Sequence, residues 1–348
     1  MKICIYGNYY LPYIVNNLEN DGHLVLLNQF SPDIDICIVE SRFFMYEIYR
    51  YLKIIKKNKI KLINSILDIP PWPLYYDRPT NTVKNYTRQT FFNFTNKKQF
   101  LYNCVNLFKV NDKKFEFTNR FNSTIQHYFN TFIRNRIYFL KNYRNFLKHS
   151  DLNLSLSKYT QKTVKKMLKL DTEVCYPCVN SDYLLNLPKV KLKYDAINIS
   201  RIVYYKHQEI FVEAAKKLNL NVIVLGRHSD VRIKLDCPHF YFEDHHKIMT
   251  TLNEATFYVD ASEFEGFGMT TVEAAFLDKI SIVSNTYIHR EILGDYPLYF
   301  ETNNVDDLVE KMKYVKENGI KPKNDEIKKK YSISSLKNRL MSYIESLF

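Results

Sequence analysis

Two glutamates eight residues apart, Glu265 and Glu273, bracket the densest chemical signal in this chain, EGFGMTTVE. An apolar run, TFYVDA (256–261), precedes them and a helical pattern, MTTVEAAFL, follows. Gly266 and Gly268 sit between strand and helix, and a Gly-x-Gly turn at a helix start exposes backbone N–H groups while the helix dipole adds positive potential. That is a place for a phosphate or for sugar hydroxyls. Glu265 lies at the mouth of the helix. Glu273 lies one turn inside, and helical side chains lean toward the N-terminus, so both carboxylates can accept hydrogen bonds from hydroxyl-bearing parts of one ligand. The bland alternative is a capping arrangement with solvated acids.

The elements that must position these residues are read from periodicity. KICIY (2–6) is a buried-type strand ending at Gly7, Pro12–Asn20 is helical, and His23–Leu27 is a second strand. Strand, helix, strand in so short a stretch is a βαβ unit and predicts a parallel sheet. DICIVE (35–40) predicts a third strand, with one long amphipathic helix running to Lys56, and 60–66 a fourth. Strands at 196–200, 221–226, 239–243, 256–261 and 281–284 alternate with helices over 207–218, 245–253, 270–277, 305–317 and 332–346. The expectation is α/β, with two doubly wound Rossmann-like domains: 1–183, 184–330, and a C-terminal helix over 331–348 that can cross back to the N-terminal domain.

The chain has 348 residues, 50 Lys+Arg and 37 Asp+Glu, for a formal net charge of +13. That excess favours anionic partners. Most of it sits in Lys84–Lys148, where thirteen Lys/Arg meet two acids, Asp112 and Glu116, among seventeen Phe/Tyr. Three readings stay open for this stretch: a packed helical insertion, a surface for anionic lipid or a polyanionic acceptor, and base stacking on single-stranded nucleic acid. No secretory leader or membrane-spanning run is legible, and the six cysteines are scattered, so a cytoplasmic location is expected, with a peripheral position on an inner membrane face as an extension. Cys175-Tyr-Pro-Cys178 has CxxC spacing without a second pair and reads as core cysteines. Asp33-Ile-Asp35 precedes a strand and is a poor metal motif, and Asp244 before His245-His246 reads as an N-cap.

EGFGMTTVEAA (265–275) resembles the hallmark Glu-x7-Glu segment of the family 4 retaining glycosyltransferases. Further segments are similar. SRIVYYKHQEIFVEAAKKL (200–218) looks like the family's strand, Arg, loop, Lys and helix, and VIVLGR (222–227) like its next strand and Gly turn. The stretch 239–262 resembles the elements that precede the glutamates, and IVSNTYIHREIL (282–293) the segment that follows. CYPCVNSDYL (175–184) is similar to the interdomain strand, and LENDGHLVLL (18–27) to the family's first helix turning into strand two. The resemblance implies the GT-B fold, a nucleotide-sugar donor on the C-terminal domain, a glycan, lipid-linked or protein-linked acceptor on the N-terminal domain, retention, and no metal or cofactor. It implies Glu265, Arg201 and Lys206 as catalytic residues, the last two on the donor's diphosphate. It implies donor contacts from Glu273, Gly266, Phe267, Gly268, Met269, Thr270 and Gly226. Where the family often has a Gly-Gly loop, this chain has Gly7-Asn8-Tyr9-Tyr10. No His lies between His23 and His127 to match the family's donor-sugar histidine, which leaves Gly7, Asn8 and Asp68 as acceptor-side candidates. The rivals are a nucleic-acid or anionic-membrane binding protein on a degenerate Rossmann scaffold, and a GT-B-like epimerase or phosphorylase.

Overall fold

The computed structural model describes residues 1–66, 142–188, 190–228, 233–263, 265–319 and 321–348. Asp68 and most of the basic aromatic stretch 84–148 lie outside the described residues.

The first sheet is built from β1 (Lys2–Tyr6), β2 (Leu24–Leu27), β3 (Ile36–Glu40), β4 (Lys61–Ile66), β5 (Leu152–Ser155) and β6 (Glu173–Val174), in the order β2-β1-β3-β4-β5-β6. A 3-10 turn (Leu11–Ile14) leads into α1 (Val15–Asn20), and α2 (Ser41–Tyr49), α3 (Leu52–Lys57), α4 (Lys158–Leu168) and α5 (Ser181–Leu185) complete the set. The second sheet contains β7 (Tyr194–Ile199), β8 (Val222–Leu225), β9 (His239–Phe240), β10 (Ala255–Asp260), β11 (Ile280–Ser284) and β12 (Leu298–Phe300), ordered β12-β11-β10-β7-β8-β9. Its helices are α6 (Gln208–Lys217), α7 (His245–Asn253), α8 (Met269–Phe276), α9 (Tyr287–Leu293), α10 (Val305–Asn318), α11 (Asp325–Lys330) and α12 (Ile333–Glu345). All strand pairs are parallel, with Ile3 opposite Ile36 and Tyr258 opposite Ile197. Central strands such as β3 and β11 are buried at every position, as a sheet covered by helices on both faces requires. This is the expected pair of doubly wound, Rossmann-like sheets of the GT-B fold.

Several elements depart from the sequence reading. The helix expected to run unbroken to Lys56 is two, because Arg50 and Tyr51 close the first with bonds to Glu47 and Ile48 three residues back, and Tyr51 stacks on Phe30 at 4.2 Å between ring centroids. The strand expected over 239–243 is only His239–Phe240, an exposed edge. The short strand β12 and helix α9 carried too few periodic positions to be read.

Helix starts are capped by the residue types that favour them: Ser157, Asp244, Thr286, Asn304 and Ser332 each accept a backbone N–H. The C-terminal helix α12 does cross back. Lys337 Nζ lies 2.5 Å from Asp21 Oδ2 beyond α1, and Tyr343 donates to the Val174 carbonyl at 3.2 Å.

In each sheet the strand order reverses direction once, between β1 and β3 and between β7 and β10. Loops leaving the carboxyl ends of such neighbouring strands diverge to opposite faces and leave a crevice, where open α/β sheets bind ligands. The loops after β7 and β10 carry Arg201, Lys206, Glu265 and Gly266–Gly268. The loop after β1 carries Gly7 and Asn8.

Candidate functional site

The loop after β7 is fixed from beneath by Gln208, whose Nε2 donates to Ser200 Oγ at 2.6 Å and to the Arg201 carbonyl at 2.7 Å. Arg201 remains exposed, with Nη2 3.2 Å from the Tyr205 hydroxyl. Lys206 is buried, 5.5 Å above the Tyr205 ring, and its ammonium is hydrogen-bonded to the Glu265 carboxylate. Burial opposes the lysine's charge, but Glu265 and Asp260 more than offset it and hold its pKa above the ordinary value. Gly226 closes β8 where β7 comes very near: a Cβ there would stand 1.8 Å from the Ser200 carbonyl oxygen, so no other residue fits without moving the Arg201 loop.

The loop after β10 turns into α8 through Gly268, at φ +87°, a left-handed conformation that suits glycine. Phe267 anchors it, packed edge-on to Tyr331 at 5.1 Å. The Gly266 carbonyl accepts from Ser157 Oγ at 3.2 Å, so the first sheet's β5–α4 junction touches this loop. Met269 and Thr270 open the helix, half-buried, and Thr271 Oγ1 donates to Asp260 at 3.2 Å. Glu273 is buried, with Oε1 3.3 Å from His245 Nε2. That partner raises the His245 pKa against the opposing effect of burial. Tyr13, from the first sheet's 3-10 turn, is pushed up to about 12, first by burial and then by the Glu273 charge, so Glu273 faces the first sheet. The structure therefore gathers Lys206, Glu265, Gly266, Phe267 and Gly268 at one crevice, with Glu273 one turn behind and Arg201 at the rim.

Gly7 and Asn8 lie in the loop after β1. Their loop wraps around the buried carboxylate of Glu40, at the end of β3. Glu40 accepts from the backbone N–H of Asn8 (2.7 Å), Tyr9 (3.0 Å), Tyr10 (3.2 Å) and Leu11 (3.3 Å). A Cβ on Gly7 would come within 3.2 Å of Glu40 Cδ. The amide cradle is thus filled from within. Burial raises the Glu40 pKa, and the four amides act against that rise.

Sequence reasoning missed Glu40, His245, Asp260, Ser262 and His289. For Glu40 and Asp260 a signal existed: each is a lone acid closing an apolar strand, ICIVE and TFYVD, next to the strand where the sheet reverses. His245 and His289 carried no pattern.

Other candidates resolve as structural. Asp33 pairs with Lys2 at 2.5 Å, and Asp35 accepts the Lys2 backbone N–H at 2.7 Å. Asp244 caps α7. Cys175 and Cys178 are free and buried, their thiols pushed by burial up to about 11 and about 12. Among the described residues no group of three or more His, Cys, Asp or Glu is arranged to hold a metal ion, and no helix is long and apolar enough to cross a membrane.

The loops after β7 and β10, with all the candidate donor residues, fall inside one recognised segment. Residues 186–332 match the glycosyl transferases group 1 family. Several solved structures share the fold across the chain. Alr3699/HepE from Anabaena, solved with UDP-glucose, is similar with a TM-score of 0.61 at 12% identity, over 99% of this chain and 100% of that one. Sucrose-phosphate synthase from Thermosynechococcus elongatus gives 0.56 at 12% identity, over 100% and 99%. An alpha-glucosyltransferase solved with UDP and a mismatched 13-mer DNA gives 0.56 at 10% identity, over 99% and 100%. No protein of curated function matches the sequence.

Proposed function

We propose that this protein is a glycosyltransferase that moves a sugar from a nucleotide-sugar to an acceptor hydroxyl. The observation that carries the reading is the pair of buried Lys206 and half-buried Glu265 beside the Gly266–Gly268 turn, at the strand reversal of the segment that matches group 1. Residues 184–330 hold the donor. Arg201, Lys206 and the N-terminus of α8 face the diphosphate, with Gly226 keeping the Arg201 loop in place. Preorganised donors aimed at a charge that grows in the transition state are an effective way to lower a barrier. As the glycosidic bond breaks, the leaving diphosphate gains charge, and Lys206 and Arg201 are already in position to offset it.

Glu265 is held by Lys206. A diphosphate becomes a second partner for that ammonium, which leaves Glu265 able to accept from the donor sugar's hydroxyls. Glu273 accepts from the ribose. The acceptor belongs to 1–183, on the side of Gly7, Asn8 and Asp68. Retention of configuration, family 4 membership, hexosyl transfer, activity without a metal, and a cytoplasmic location at a membrane face are the finer parts of the same proposal.

The test is incubation with UDP-, GDP-, ADP- and TDP-sugars, following nucleoside diphosphate release and the anomeric form of the product. A transferase releases the diphosphate and forms a glycoside, whereas an epimerase changes the sugar alone. Absence of release from every donor, with water or simple saccharides as acceptor, sinks the reading.

A further inference from the structure

Behind the Lys206–Glu265 pair lies a second pair that the donor site as described leaves without a role. His289, in α9, is fully buried, and Asp260, at the end of β10, nearly so. His289 Nδ1 lies 2.7 Å from the Ser284 carbonyl oxygen. A carbonyl only accepts, so Nδ1 carries a proton. The ring's other nitrogen, Nε2, points at Asp260 Oδ2 from 3.7 Å and has no hydrogen-bond partner among the described residues. In a neutral ring, Nε2 would present a lone pair to a carboxylate in a dry site. Only the imidazolium presents an N–H there.

Asp260 in turn touches the donor loops. It accepts from the Ser262 backbone N–H at 2.9 Å and from the Ser262 hydroxyl, and Ser262 Oγ also lies 3.3 Å from Glu265. Its charge also acts on Lys206. The four groups therefore form an alternating cluster, His289, Asp260, Lys206 and Glu265, whose formal charges cancel.

We propose that Asp260 and His289 form a buried ion pair in which His289 offsets the Asp260 charge, keeping Lys206 available to a diphosphate, so that His289 is a positioning residue for the donor site. Without that positive charge Lys206 alone would face two carboxylates, and the cluster would carry a net charge of one negative where an anion must bind. The charged groups acting on His289 are Asp260 on β10 and Glu265 on the loop beyond it. Together with the Ser284 carbonyl they hold its pKa above the ordinary value, although burial acts the other way.

The inference rests on the donor-site reading for its ligand, and two measurements separate the two. The first uses no ligand. With ring-labelled histidine, the His289 carbon and nitrogen shifts at pH 7 should be those of an imidazolium, assigned by their loss in His289→Gln. Neutral-ring shifts at pH 7 overturn the proposal whatever the protein binds. The second measures UDP affinity by calorimetry. His289→Gln keeps an N–H facing Asp260 but removes the charge, and should weaken UDP at least tenfold. Adding Asp260→Asn makes both partners neutral and should return affinity to within threefold of wild type. A single variant that binds like wild type, or a double variant as weak as the single, overturns the proposal. If the wild type binds neither UDP nor GDP, ADP or TDP, the donor-site reading fails instead, and the spectra still decide the charge of His289.

Discussion

The Glu40 carboxylate stands 2.7 Å from the backbone nitrogen of Asn8, and it serves the next three amides as well. A loop that could have met a phosphate through its N–H groups is instead closed on an acid of its own chain. In the proposed reaction, recognition of the donor's phosphates therefore falls to the second sheet. Glu40→Ala should leave the buried Tyr10 and Leu11 N–H groups unpaired, at a cost of about 1–3 kcal/mol each. Urea unfolding should show that loss, with Glu40→Gln intermediate because its carbonyl oxygen still accepts. Equal stability of Glu40→Ala and wild type would refute the structural role.

Lys206→Met should reduce turnover about 100-fold or more, the usual loss when one preorganised donor to a developing anion is removed. Because the ammonium shares its site with Glu265, the variant also leaves a half-buried carboxylate without its ion partner. A lowered melting temperature is expected alongside the kinetic loss. Steady-state kinetics on correctly folded protein separates the two effects, and full activity would rule out the phosphate assignment.

In the proposed reaction His245 competes with the ribose for Glu273. Its raised pKa means that the His245–Glu273 pair is fully formed below the ordinary imidazole range and is lost as pH rises through the folded value. Stability from this pair should decline over that rise. The His245 contribution to donor affinity should move the opposite way, since a neutral ring leaves Glu273 free to accept from hydroxyls. Comparing donor affinity across pH 6–9 in wild type and His245→Ala isolates this contribution, and identical pH profiles would exclude it. Glu273→Ala should weaken the donor at every pH, by about 1–3 kcal/mol for an unpaired buried hydroxyl pair.

Activity should persist in EDTA. In the proposed reaction Arg201, Lys206 and the α8 N-terminus supply the positive potential that offsets the diphosphate. Loss of turnover on chelation, restored by Mn²⁺ or Mg²⁺, would contradict the proposed mechanism.

What was legible in the sequence, and what was not, follows from the range of the forces involved. The βα alternation could be read because burial on both faces of a parallel sheet makes runs such as ICIV and TFYV apolar throughout. Gly266 and Gly268 could be read because glycine is scarce here and a tight strand-to-helix turn demands it. The partners of the acids could not. Glu40 is 32 residues from Asn8, and His289 is 29 residues from Asp260. Such pairs form only when strand order brings the loops together, and no local pattern announces them. The break at Arg50–Tyr51 was hidden for a related reason: the amphipathic spacing continues across it, while the stacking of Tyr51 on Phe30 depends on a contact with a distant loop.

The crossing of α12 also constrains how the molecule is made. Leu336, Leu340 and Ile344 share one buried cluster with Leu11, Ile14 and Leu18. The chain emerges from the ribosome N-terminus first, so the apolar flank of α1 and the turn before it waits, uncovered, through the synthesis of some three hundred residues. The first sheet can begin to fold early, but this flank acquires its cover only when α12 is released. A chain stalled or cleaved before Ile333 would carry a complete second sheet and still present that flank to chaperones and proteases, so quality control acting there would read out whether α12 has been made and docked.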